Sequence, residues 1–270
     1  MSFHEGTFYS ANDNENEKSN IGRSAILAEN QKTNSYSVQE AVFLSLRKSI
    51  MTLNLMPGTT MSANEISARF NVSRTPVREA FIRLEREGLV KIVPQRETMV
   101  SRIDPKRVSQ ERFLRESLEI AALEPFIKNC SQKNIQELRQ LIEKQQAMSA
   151  EKEYAKVVDY DDAFHRIIFE VAEQPLSWEI IESMSGHYRR IRLLTVWSDE
   201  IVKKIVEQHN DLVHQAETGN LASAKEVLSR HLRKLIREEE MMMEEYPNFF
   251  EREEQKDLFD IDFGDLNSAR

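Results

Sequence analysis

The chain has 270 residues, 40% of them hydrophobic, with a formal net charge of −8 and a single cysteine. That length accommodates two domains of ordinary size. Cys130 alone excludes an intrachain disulfide, and no run reaches the roughly 18 uncharged apolar residues of a membrane span. The opening MSFHEGTFYSANDNENEK lacks the basic start and apolar run of a signal peptide, so a soluble, cytoplasmic protein is expected.

Charge is unevenly spread. Between Tyr36 and Ile103 there are ten Lys/Arg against six Glu, a net +4 that leaves −12 for the rest. Nucleic-acid binding would explain one basic module on an acidic chain; chance fluctuation in a charge-rich sequence would too.

In chain order, residues 1–35 are polar, without apolar periodicity, and read as a disordered arm. Ser37 and Glu40 form a capping box ahead of a helix that carries Val38, Val42, Leu46, Ile50 and Leu53 on one face, closed by Pro57-Gly58. A second capping box, Ser62 with Glu65, opens a short helix to Phe70, and Asn71 suits the left-handed residue that follows. A third helix starts at VSRTPVREA, with Ser73 or Thr75 as N-cap and Pro76 in the first turn. Val77, Phe81 and Leu84 face inward and Gly88 stops it. Two β-type runs, 89–93 and 98–103, are joined by Pro94-Gln95-Arg96-Glu97. Three helices and a two-stranded wing over residues 36–104 describe a winged helix-turn-helix, with the helix-turn-helix at about 62–81.

In that motif the N-terminal part of the second helix reaches base edges in the major groove. Arg74 and Arg78, four apart, share a face there. The positive end of the helix dipole disfavours them by some tenths of a kcal/mol, which a bidentate contact to guanine, roughly 1–3 kcal/mol, offsets. Ser73, Thr75 and the free amides of the first turn would hold phosphates.

SANEISARFNVSRTPVREAFIRLEREGLV resembles the signature of the GntR family of bacterial transcriptional regulators, with V-S-R-T-P-V-R-E-A intact. The resemblance implies that Arg74 and Arg78 read bases, that Ser73 and Thr75 hold phosphates, and that the wing tip enters the minor groove. Two departures stand out. The family wing usually carries glycines, whereas Gln95 and Glu97 flank Arg96 here. Asn64 occupies a position where the family often has arginine, so fewer phosphate contacts are expected, with Arg69 a partial substitute.

Residues 109–246 read as an all-α bundle of six or seven helices, including RFLRESLEIAALEPFIKN and YAKVVDYDDAFHRIIFEVAE. Asp161 and His165 are four apart on one helix face. His209 and His231 lie equally far from Asn220 at the turn of a helix hairpin, so they meet at one height. Four residues from three helices thus converge in the way bundles build metal sites, although a lone helical histidine is more often a surface or satisfied core residue. His214, five residues beyond His209, should face elsewhere, and His187 has no evident place.

DDAFHRIIFEVAEQP, EQHNDLVHQAETGNLASA and LSRHL resemble the FCD ligand-binding domain of the FadR-type branch of the same family. Its D-x-x-x-H and two later histidines map onto Asp161, His165, His209 and His231. The resemblance implies one divalent ion per chain, with zinc, nickel and manganese all compatible with imidazole, and an open coordination position for a small carboxylate effector. Arg115, Arg189 and Arg192 are candidates to clamp it; as HYRRIR, the latter two also fit a solvated or dimer-facing stripe.

The expected function is that of an effector-responsive, metal-containing transcriptional regulator, a repressor that binds a palindromic operator as a homodimer. The alternatives are a metal-dependent hydrolase, for which no H-E-x-x-H base is present and Glu207 points away, and a constitutive DNA-binding protein with a structural metal. Residues 247–270 form an acidic tail of scattered Leu and Phe.

Overall fold

The computed structural model describes residues 37–93 and 97–251. The 1–35 arm, Arg96 and most of the acidic tail lie outside those residues.

Two apolar clusters organise the chain. In the first, helix α1 (Val38–Met51) buries Val42, Leu46 and Ile50 against Val77, Phe81 and Leu84 of α3 (Arg74–Arg86), with α2 (Ala63–Phe70) beside them. Ser37 accepts the Glu40 amide at 3.2 Å, and Ser62 and Glu65 form the reciprocal capping box. Asn71 takes the left-handed conformation, φ 53°, which its short polar side chain tolerates.

The wing is three-stranded rather than two-stranded. β1 (Thr60–Met61), directly after Pro57-Gly58, pairs antiparallel with β3 (Thr98–Val100), which pairs with β2 (Val90–Ile92) in the order β1-β3-β2. Thr60 lies opposite Met99, and Val90 opposite Val100. A two-residue strand offers no periodicity to a sequence reading, so β1 was not foreseeable.

The second cluster lies in eight helices, one more than the upper expectation: α4 (Pro105–Asn129), α5 (Gln132–Ala150), α6 (Tyr154–Val171), α7 (Pro175–Met184), α8 (Gly186–Thr195), α9 (Asp199–Glu217), α10 (Leu221–Arg233) and α11 (Leu235–Glu245). Helix α4 starts at Pro105, where Asp104 caps it by accepting the Lys106 amide at 2.8 Å. Phe126, Leu138, Phe164, Ile168 and Leu228 fill the bundle core. Leu53 and Ile103, from the head side of the chain, are buried in the same cluster and tie the two bodies together.

Helix α8 sits at the junction. A Cβ on Gly186 would lie 2.7 Å from Leu89 Cδ2, so glycine permits the start of α8 to press on the chain just after α3. Among the described residues no helix is long and apolar enough to cross a membrane.

Candidate metal centre and DNA-reading head

Helix α6 presents Asp161 and His165 one turn apart, α9 presents His209, and α10 presents His231 across the Thr218-Gly219-Asn220 turn. The four donor atoms lie within 4.8 Å of one another. Asp161 Oδ1 is 3.5 Å from His209 Nε2 and 4.0 Å from His231 Nε2, while Oδ2 is 3.7 Å from His165 Nε2. His165 and His209 are fully buried.

Each imidazole is oriented from behind. His165 Nδ1 meets Glu119 Oε2 at 2.6 Å, His209 Nδ1 meets Gln145 Oε1 at 3.0 Å, and His231 Nδ1 meets Gln208 Oε1 at 3.0 Å. Oxygen acceptors at all three Nδ1 atoms hold the protons there and leave three Nε2 lone pairs facing inward. His165 and His231 present these nitrogens to each other at 3.3 Å, and the buried His209 Nε2 has no hydrogen-bond partner among the described residues. Facing lone pairs and an orphaned ring nitrogen are unfavourable without a cation and suitable with one. Burial pushes His209 down to about 3 and His231 well below its usual range, both toward the neutral ligand form. Burial alone would raise the Asp161 carboxyl, but Arg192 and the surrounding His165, His209 and His231 together outweigh this and hold it well below the carboxylate range. Three inward-facing imidazole nitrogens and one carboxylate therefore fit a divalent ion of the zinc, nickel or manganese type.

The three arginines expected at an effector are all engaged with carboxylates of α6 or α4. Arg192 bonds Asp161 through Nη2 and Asp162 Oδ1 through Nη1 at 2.7 Å. Arg115 bonds Glu119 at 2.6 Å and Asp162 at 3.3 Å, and Arg189 bonds Asp162 and Asp159. Of the three, Arg192 lines the cavity of about 40 Å³ beside Asp161, Tyr188 and His231. All three line a larger space between the head and the bundle.

Glu119, Gln145, Gln208 and Asp162 were missed by sequence reasoning. A signal existed for Glu119: Glu111, Arg115 and Glu119 recur every four residues on the face of α4 that also buries Ala122 and Phe126, and charge on a buried stripe is rarely idle. His214 and Glu207 are exposed, as their spacing required. His187 is buried under the head, where its backbone amide and that of Tyr188 donate to Glu111 Oε2 at 3.0 and 2.8 Å.

In the head, Ser73 is the N-cap of α3 with extended backbone, but its hydroxyl makes no capping bond, so the first-turn amides stay open. Ser73, Arg74, Thr75, Arg78 and Arg69 are exposed. Arg74 Nη1 donates to Asn64 Oδ1 at 3.3 Å, and neither Arg74 nor Arg78 makes an ion pair among the described residues. Glu85, their possible partner, instead accepts the Ile92 amide at 3.0 Å. Farther along α3, Arg83 is consumed by Glu40 at 2.5 Å and by the Phe43 ring.

Comparison with known proteins decides what kind of molecule this is. Residues 38–100 match the model of the gntR family of bacterial regulatory proteins, and residues 112–234 match the FCD domain. A Streptomyces ambofaciens protein described as an uncharacterized HTH-type transcriptional regulator in an unstable DNA locus is 31% identical over 81% of this chain and 92% of its own. The chain belongs to the GntR family, with an FCD domain. Another relative, the HTH-type transcriptional repressor RspR of Escherichia coli, is 28% identical over 83% of this chain and 99% of its own. In fold, this GntR-family chain is similar to the solved E. coli McbR/YncC, with a TM-score of 0.66 at 19% identity over 78% of this chain and all of that one. It is a DNA-binding transcriptional regulator and not an enzyme.

Proposed function

We propose that this regulator is a metal-containing, small-acid-responsive repressor, with residues 36–104 as its DNA-binding domain and 109–246 as its metal, effector and dimerisation domain. The observation that carries the reading is the convergence of three Nε2 lone pairs and one carboxylate, each ring fixed from behind. Repression is carried over from relatives such as RspR and the gluconate operon transcriptional repressor of Bacillus subtilis.

Asp161, His165, His209 and His231 would hold the divalent ion, which supplies an open coordination position for a carboxylate oxygen. Arg192, between that cluster and the small cavity, is the residue placed to take the second oxygen. Doing so would draw its guanidinium from Asp161 and Asp162. Arg192 rides on α8, whose first turn contacts the head: Arg190 donates to the Ser101 carbonyl at 2.5 Å, and His187 contacts the Gly88 carbonyl. A shift of α8 would therefore change the spacing of the two heads of a homodimer on a palindromic operator.

At the operator, Arg74 and Arg78 would read base edges, while Ser73, Thr75, Arg69 and Arg96 would meet the backbone. The test is operator affinity with metal, with chelator, and across a panel of small carboxylic acids. An acid that shifts affinity only in the metal-loaded protein supports the reading. Unchanged affinity across the panel, with metal still raising the melting temperature, would leave a constitutive DNA-binding protein with a structural metal.

A further inference from the structure

Between α3 and the wing lies an open groove of about 530 Å³. Along its α3 wall Arg74, Arg78 and Ile82 follow one another a turn apart, and its wing wall carries Ile92, Val93 and one acid, Glu97. Neither arginine makes an ion pair among the described residues, and Ile82 and Val93 are 45% and 38% exposed. The phosphate backbone of DNA would satisfy the guanidinium groups but gains nothing from the aliphatic side chains. A ligand that fits the whole groove is therefore both acidic and apolar.

The chain carries such a segment close by. Glu251, the last described residue, pairs with Lys91 of β2 at 2.5 Å, and Ile92 of the groove is the next residue along that strand. Farther on, the sequence reads DLFDIDFGDL over 257–266, with four aspartates and no Lys or Arg. Phe259-Asp260-Ile261-Asp262-Phe263 alternates strictly, so as an extended strand it would carry three apolar side chains on one face and two carboxylates on the other. Carboxylates two apart on a strand are separated by about 7 Å, and arginines four apart on a helix by about 6 Å along its axis. Eight residues, from Glu251 to Phe259, reach up to about 26 Å, while the groove begins one residue beyond Lys91.

We propose that residues 257–266 dock in this groove of their own chain, with Asp260 and Asp262 on Arg74 and Arg78 and the phenylalanine face against Ile92 and Val93. The segment then competes with DNA for α3. The competition, though not the docking itself, rests on the reading of α3 as the helix that contacts DNA.

The test uses the full chain, with residues 257–266 also supplied as a free peptide. A tether of about 1 mM effective concentration that weakens DNA binding about fivefold implies a dissociation constant of about 0.25 mM in trans. Phe259→Ala/Phe263→Ala, which leaves net charge unchanged, should therefore raise affinity for random-sequence duplex about fivefold, and the peptide at about 1 mM should reverse the gain. Broadening of the peptide's magnetic resonance lines by this variant reads the docking without DNA, and Val93→Glu in the same background should abolish it at unaltered melting temperature. In a chain that binds duplex, unchanged affinity in the phenylalanine variant overturns the proposal. A gain confined to Glu253→Gln/Glu254→Gln does so too, by reducing the segment to general repulsion. Peptide broadening that is absent, or indifferent to Val93→Glu, also overturns it, the first leaving the groove to DNA alone and the second placing the segment elsewhere. Should Val93→Glu lower the melting temperature, Ile82→Glu supplies the groove change. A chain that holds the peptide in the groove but binds no duplex supports the docking and removes the DNA reading of α3 instead.

Discussion

His187 Nε2 lies 3.2 Å from the carbonyl oxygen of Gly88, while its Nδ1 accepts the backbone amide of Asp104 at 3.0 Å. One ring thus joins the first turn of α8, the residue that ends the region after α3, and the cap of α4. Both bonds need the neutral tautomer protonated at Nε2.

That neutrality makes a pH prediction. Burial, reinforced by Arg190, pushes His187 down to about 3, with Asp104 acting against it and Arg107 with it; the Glu111 carboxylate sits on the adjoining amides. The unfolded chain takes up the proton first, near 6.5. Stability should therefore fall as pH drops from about 6.5 toward 3, by up to about 1.4 kcal/mol per pH unit for this group. His187→Gln should be less stable at neutral pH but lose less on acidification. Melting curves of metal-loaded protein from pH 7.5 downward check this; parallel pH dependences would contradict it.

Gly88 is at φ 72°, and a Cβ there would meet His187 Nε2 at 3.4 Å. Gly88→Ala should cost roughly 1–2 kcal/mol from the left-handed backbone alone. Gly219 has the same backbone sign, φ 71°, but nothing lies within 4 Å of its would-be Cβ. Gly219→Ala should therefore cost the backbone part only, and calorimetry on the pair separates strain from contact with His187.

The reading helix yields a contrast between two arginines. Arg78, exposed and free of ion pairs among the described residues, should on Arg78→Ala lose roughly 1–3 kcal/mol of operator affinity and relax one base position per half-site. Arg69→Ala should weaken operator and random DNA alike and lower the salt slope by about 1. Competition binding at two salt concentrations distinguishes them, and equal losses on both DNAs for Arg78→Ala would remove its base-reading role.

The metal prediction rests on His209, whose Nε2 is buried without a partner. Metal at about a thousand times its dissociation constant should stabilise the protein by about 4 kcal/mol, reversed by chelator. His209→Ala also opens a core cavity, so the quantity to compare is the metal-induced shift, which should vanish. Retention of the full shift would show that the ion binds elsewhere.

Local signals made much of this legible from sequence. The capping box at Ser62 and the left-handed Asn71 are written in adjacent residues, as is half of the box expected at Ser37, where the Glu40 carboxylate turns to Arg83 instead, and the equal spacing of His209 and His231 from Asn220 fixes their meeting, with ring centroids 4.7 Å apart. What stayed hidden depends on residues far apart in the chain. Glu119 reaches His165 across 46 positions, Gln145 reaches His209 across 64, and His187 reaches Gly88 across 99. The destinations of Arg115, Arg189 and Arg192 were hidden for the same reason. Guanidinium chemistry points to an anion, but only tertiary packing shows that one carboxylate, Asp162, is shared by all three.

The C-terminal strap shows the same division between chemistry and packing. After α11, a 3-10 turn, Pro247–Phe249, returns the chain to the head–bundle linker, beyond the residues matched to either family. Phe250 bridges Ile103 in parallel and is 2% exposed; Ile103 donates to the Phe249 carbonyl at 2.7 Å and accepts from the Glu251 amide at 2.9 Å. Glu251 also pairs with Lys91 of β2 at 2.5 Å, but both side chains are partly in solvent. Exposed pairs contribute about 0–1 kcal/mol, whereas truncating a buried phenylalanine to alanine costs roughly 3–5 kcal/mol. Glu251→Ala should therefore be nearly silent, and Phe250→Ala should lower the melting temperature and speed proteolysis near residue 103. Equal effects of the two would mean that the ion pair, rather than the buried ring, fastens the strap to the linker.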